Sequence, residues 1–133
     1  QPVTVSDIRA PVFLVGTERD HVAPWHSVFK FTLLSDTDVT FVLTSGGHNA
    51  GIVSEPGHPH RHYRIATHTR DAAYAGPDRW MAQTDVVEGS WWLALSDWLA
   101  ARSGDPAGCA RAFCAAAFEL AVSLVDGGYH VMT

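Results

Sequence analysis

The sequence predicts an α/β fold, with a parallel strand–helix–strand unit at its centre and helices toward its C-terminal end. Three observations predict it. PVFLVG (11–16) and DVTFVLTS (38–45) are apolar, β-branched runs of strand length. A helical pattern separates them. Each run opens into a loop rich in turn residues, TERDHVAPW after the first and GGHNAG after the second.

The first run is bounded by Pro11 and Gly16 and is continuously apolar, the pattern of a strand covered on both faces. Pro24 then opens a helix, since proline suits a first turn, and Trp25, Val28, Phe29 and Leu33 recur at helical spacing. Ser35-Asp36-Thr37-Asp38 ends it, and Val39 to Leu43 forms the second strand. Strands joined by one helix pair in parallel. Residues 46–80 carry many Gly, Pro and His without periodicity, which predicts a long functional loop with short helical pieces. Over 88–102 the spacing predicts a helix capped by Ser90, with Trp91, Leu95, Trp98 and Leu99 on one apolar face. Ser103-Gly104-Asp105-Pro106 closes it. Residues 109–125 read as an apolar helix, buried or docked on a partner and marginal for a membrane span. Two parts follow: the α/β part over 1–104 and a helical tail over 105–133.

Two strands do not make a stable covered sheet, so further strands and packing helices are expected to precede this segment in a longer protein. The absent initiating Met and signal peptide fit the same expectation. At 133 residues the chain has the length of one domain. Its net charge of −5 and its scattered arginines exclude the basic face that nucleic acid requires. Cys109 and Cys114, five residues apart, do not form a CxxC pair or a disulfide framework, which fits a reducing cytoplasmic setting.

Asp20 follows the first strand and His48 the second, 28 residues on. Open α/β sheets bind ligands at the carboxyl ends of their strands. An acid followed by a histidine at successive strand ends is the order in which an α/β-hydrolase presents the last two members of its triad. There Asp20 fixes the tautomer of His48, and His48 serves as general base and acid. The plain alternative is a turn residue and a surface histidine. His21 and Asn49, each beside one of the pair, are the candidate substrate-binding residues; a loop hydrogen bond is the alternative for His21. Asn49 and Gly46-Gly47 shape the histidine turn. His58, His60 and His62 form an HxHxH spacing, but Pro59 and the lack of a nearby carboxylate or thiolate argue against a metal, and no metal or cofactor is expected.

VFLVGTERDHVAPW and SGGHNAGIVSEPG resemble the segments bearing the catalytic Asp and His of the class I polyhydroxyalkanoate synthases, the poly(3-hydroxybutyrate) polymerases. YAGPDRW and EGSWWLALSDWLAARSG resemble that family's closing region, so the likeness runs over roughly residues 3–104. It implies the C-terminal part of an α/β-hydrolase catalytic domain with a Cys–His–Asp triad. It also implies an acyltransferase that polymerises (R)-3-hydroxyacyl-CoA into polyester on cytoplasmic granules and releases CoA. Asp20 would be the triad acid, also assigned in the family to activating the 3-hydroxyl of the incoming unit, and His48 the base. The remaining partners implied are the upstream part of the catalytic domain, a second copy in a homodimer, and granule-associated proteins. The chain is not expected to be an integral membrane protein. The family's cysteine lies in a Gly-x-Cys-x-Gly elbow upstream of the acid, a segment this chain lacks, so the chain alone is expected to be inactive. Cys109 and Cys114 read as buried helix cysteines, and the 105–133 tail diverges from the family. An esterase, thioesterase or depolymerase of the same fold would use the same Asp and His. A non-catalytic module that docks its apolar helix and Trp face on a partner or granule is the reading from another class.

Overall fold

The computed structural model describes residues 4–104. The chain divides into two compact units, Gln1–Asp97 and Trp98–Thr133, and the sheet lies in the first. Four strands stand in chain order across it: β1 (Val12–Thr17), β2 (Val39–Thr44), β3 (His62–His68) and β4 (Val86–Glu88). β1 and β2 are parallel, with Val12 opposite Val39 and Thr17 opposite Thr44. The connection between them holds two short helices, α1 (Trp25–Phe29) and α2 (Phe31–Leu34), which break at Lys30. Pro24 caps α1, and its carbonyl accepts the amides of Ser27 and Val28. Leu33, expected on the buried face, is 59% exposed because the break turns it out of the pattern.

The largest departure from the sequence reading lies in 46–80. This stretch holds β3, antiparallel to β2 with Tyr63 opposite Thr44 and Ile65 opposite Val42. Helix α3 (Pro77–Gln83) follows, and β4 pairs antiparallel with β3. His62, Tyr63, Arg64 and Ile65 alternate polar and apolar, but four residues are a short signal within a stretch rich in Gly, Pro and His, and pairing with the free edge of β2 carries the strand on to His68. β4 likewise takes Glu88 from the predicted helix, which begins later as α4 (Trp91–Ala100) behind the Ser90 cap; the Trp92 amide donates to Ser90 Oγ at 3.1 Å. Leu99, expected on the buried face of α4, is 49% exposed. In the second unit the Arg102 guanidinium lies 4.1 Å from the Trp98 ring centre.

Period-two alternation sorts the core into two layers. One face of the sheet carries Leu14, Phe41, Leu43 and Ala66 and is covered by Trp25, Phe29 and Trp80. The other carries Phe13, Val15, Val42, Tyr63 and Ile65 and is covered by Trp91, Ala94 and Leu95. Phe41 meets Phe29 and Trp80 edge-on, both at 5.0 Å between ring centres. Every residue of β2 is buried. β1, expected to be covered on both faces, is only half-buried over Val12–Val15, having one strand neighbour among the described residues. Gly16 lets α1 close on the sheet, since a Cβ there would lie 3.1 Å from Trp25 Cβ and 3.2 Å from Phe41 Cζ. That contact brings the start of α1 directly over the end of β1. Among the described residues no helix is long and apolar enough to cross a membrane. Residues 105–133, with Cys109 and Cys114, lie outside the described residues.

Candidate active site

Past Thr17, the backbone of β1 continues to follow β2, with Glu18 N–H donating to Thr44 O at 3.0 Å and Arg19 N–H to Gly46 O at 2.9 Å. The chain then turns, and Asp20 Oδ1 accepts the amides of Val22 at 2.8 Å and Ala23 at 2.9 Å. This is the local turn that aspartate favours, its side chain replacing a backbone acceptor. Oδ2 accepts a long 3.4 Å bond from the Thr17 hydroxyl. The Asp20 side chain is 8% exposed. The Ala23 amide, and after it the His48 ring, hold the carboxyl down at about 2 from an ordinary 3.8, so Asp20 is an anion at neutral pH.

The histidine turn forms at the end of β2. Gly46 has φ +109°, open to glycine and costly for other residues, and a Cβ there would sit 3.0 Å from the Gly51 backbone. The turn closes on itself through Gly51 N–H to Gly47 O at 2.8 Å and Val53 N–H to Asn49 O at 3.0 Å. His48 Nδ1 lies 2.8 Å from Asp20 Oδ2. An anionic carboxylate only accepts, so Nδ1 carries the proton and the neutral ring keeps its lone pair on Nε2. The ring is 53% exposed. The pair therefore sits at the carboxyl ends of two adjacent parallel strands, with the imidazole held by the carboxylate and half-exposed.

His21 and Asn49 are both exposed beside the pair. No hydrogen bond from the His21 ring occurs among the described residues, and Asn49 holds the turn through its backbone carbonyl. The HxHxH histidines do not converge. His58 Nδ1 is 3.0 Å from Pro59 O, His62 Nε2 is 3.5 Å from Glu18 Oε1, and His60 stands exposed at φ 59°. Among the described residues no group of three His, Cys, Asp or Glu side chains is placed to hold a metal ion.

Three features of the site escaped the sequence reading. Thr17 touches the acid, three residues before it. Gly51 packs so closely on Thr17 that a Cβ would fall 2.5 Å from Thr17 Cγ2. The residues opening α4 reach the strand-to-strand loop: Trp91 Nε1–H donates to Gly51 O at 3.1 Å, Trp92 Nε1–H to Ile52 O at 2.9 Å, and Ser90 Oγ to Ser54 O. The helical spacing places Trp91 on an apolar face, and pattern alone carries no sign of such a donor role for Trp91 or Trp92.

No protein-family model matches the chain. Curated relatives do. The chain is 33% identical over 103 residues to the poly(3-hydroxyalkanoate) polymerase subunit PhaC of Cupriavidus necator, covering 77% of this chain and 17% of that protein. It is 32% identical over 103 residues to poly(3-hydroxyalkanoate) polymerase 2 of Ectopseudomonas oleovorans, covering 77% of this chain and 18% of the relative. The PhaC subunit of Rhizobium meliloti is 33% identical over 97 residues, or 73% of this chain and 15% of its own length. The chain thus spans less than a fifth of the length of these relatives.

Proposed function

We propose that this chain, similar to part of the poly(3-hydroxyalkanoate) polymerases, carries the acid and the base of an acyl-transfer site on an α/β-hydrolase sheet. The reaction is polymerisation of (R)-3-hydroxyacyl-CoA with release of CoA. The observation that carries this reading is the 2.8 Å bond from His48 Nδ1 to an anionic Asp20, with the ring half-exposed.

In this reading one group, His48, serves each half of the reaction. His48 Nε2 takes the proton of an attacking thiol, whose sulfur forms a bond to the thioester carbonyl as the bond to CoA sulfur breaks. The proton then passes from Nε2 to the departing CoA thiolate. In the second half Nε2 takes the proton of a 3-hydroxyl, and the hydroxyl oxygen attacks the enzyme-bound acyl group. The enzyme thiolate leaves and receives the proton back. Asp20 stabilises the imidazolium that forms each time and keeps Nε2 aimed at the attacker. Residues 4–104 contain no cysteine, and the thiol belongs to polypeptide outside them. His21 and Asn49 flank the acyl group, and the enzyme works at the surface of polyester granules in the cytoplasm. The 133-residue chain alone has no turnover.

The test is CoA release from (R)-3-hydroxybutyryl-CoA by the intact protein that contains this chain, followed as free thiol with the polymer weighed. His48→Ala abolishes it; release at the unsubstituted rate would overturn the assignment. Free 3-hydroxy acid in place of polymer would point instead to a hydrolase of the same fold.

A further inference from the structure

Gly51 is the point at which both halves of the site meet. Its amide donates to Gly47 O at 2.8 Å and so closes the turn that holds His48. Its Cα lies against Thr17, whose hydroxyl reaches Asp20 Oδ2 at 3.4 Å. Its carbonyl accepts the indole N–H of Trp91 at 3.1 Å. The next carbonyl accepts the indole N–H of Trp92, and Ser54 O accepts Ser90 Oγ. Three consecutive side chains at the start of α4 therefore bind three carbonyls within a four-residue stretch just after His48.

A capping serine needs only to reach its own helix, as Ser90 does in accepting the Trp92 amide. Donating at the same time to Ser54 O ties that cap to the loop. Trp91 is buried among Val42, Tyr63 and Phe13, so its indole N–H has left water and its bond to Gly51 O is costly to break. Trp92 is 38% exposed and binds Ile52 O all the same. A buried indole N–H must find an acceptor, and here the acceptor belongs to the residue whose amide closes the histidine turn.

We propose that Trp91, supported by Ser90 and Trp92, is a positioning residue that sets the His48–Asp20 geometry by fixing Gly51. This deepens the acyl-transfer reading and rests on it for its kinetic consequence, while its structural consequence stands apart. Removing the indole N–H frees the Gly51 peptide, lets the turn drift, and lengthens the bond from His48 Nδ1 to Asp20.

Trp91→Phe in the intact protein keeps a buried ring and deletes the donor. The expected result is a fall in kcat of about tenfold with KM unchanged, a fraction of the ~10²-fold that a misplacement of 1 Å costs. In the proton NMR spectrum, the low-field Nδ1–H signal of His48, identified by its loss in His48→Ala, broadens or disappears. Trp92→Phe, at a half-exposed position, gives a smaller change in the same direction and decides the matter should Trp91→Phe fail to fold. Wild-type kcat together with an unshifted, sharp Nδ1–H signal in the folded variants would overturn the proposal. If the unsubstituted protein releases no CoA, the acyl-transfer reading fails, and the NMR comparison still tests the clamp.

Discussion

Asp20 receives two of its hydrogen bonds from amides two and three residues further along the chain, whereas the turn carrying His48 is held at Gly51, Ile52 and Ser54 by Ser90, Trp91 and Trp92. The acid side chain is 8% exposed and the base 53%. The carboxylate is built locally and kept from water, while the imidazole stays open on a loop tied from behind by the start of α4. A carboxylate fixed by its own turn makes a firm reference for the ring. The ring then depends on how well a distant helix holds the loop on which it stands.

Each side of that contrast can be attacked separately. The largest effect is expected at the acid. Asp20→Asn keeps an oxygen for the Val22 and Ala23 amides but turns an amide toward His48 Nδ1, favouring the wrong tautomer. CoA release by the intact protein should fall on the order of 10³–10⁴-fold, as when other triad acids are replaced by amides; a change under tenfold would remove Asp20 from the role. On the histidine side, Gly51→Ala places a Cβ 2.5 Å from Thr17 Cγ2 and 3.1 Å from Gly47 O. Overpacking of this kind costs about 1–3 kcal/mol, read as a lowered denaturation midpoint, with CoA release reduced as well because both Asp20 and His48 are displaced. Gly47→Ala, whose Cβ would meet only Arg19 O at 3.5 Å, is the control that the space permits.

The smallest effect concerns pH. Asp20 is depressed from 3.8 to about 2 in the folded chain. A lowered carboxyl stabilises the fold fully above its unfolded value, and that contribution is lost as pH falls through the folded one. Melting temperature followed from pH 5 downward should therefore show a component that declines between about 4 and about 2 and is missing in Asp20→Asn. The same decline in both proteins would show that the carboxylate's bonds do not stabilise the fold.

Much of this is written in local sequence. PVFLVG and VTFVLT commit to strands because each is continuously apolar and β-branched, and the single helical stretch between them forces parallel pairing. TERDHVAP declares its turn because aspartate ahead of two free amides and a proline has one favourable local arrangement. GGHNAG does so because only glycine accepts φ +109° at position 46 without strain. These choices depend on residues within a few places of one another, and so Asp20 and His48 could be singled out from the chain itself. β3 could not be read in this way. HYRIATH alternates only over His62 to Ile65, too short a run to select a strand by itself, and it becomes one because β2 offers an edge whose amides and carbonyls must be paired. The role of Trp91 is likewise invisible in a pattern, since an indole in an apolar helix face reads as core until the carbonyl opposite it is known. The sequence by itself determined which acid and which histidine stand at the two strand ends; the tertiary structure decided how firmly they are held, because the holding bonds join residues some 40 positions apart that meet only once the sheet has formed.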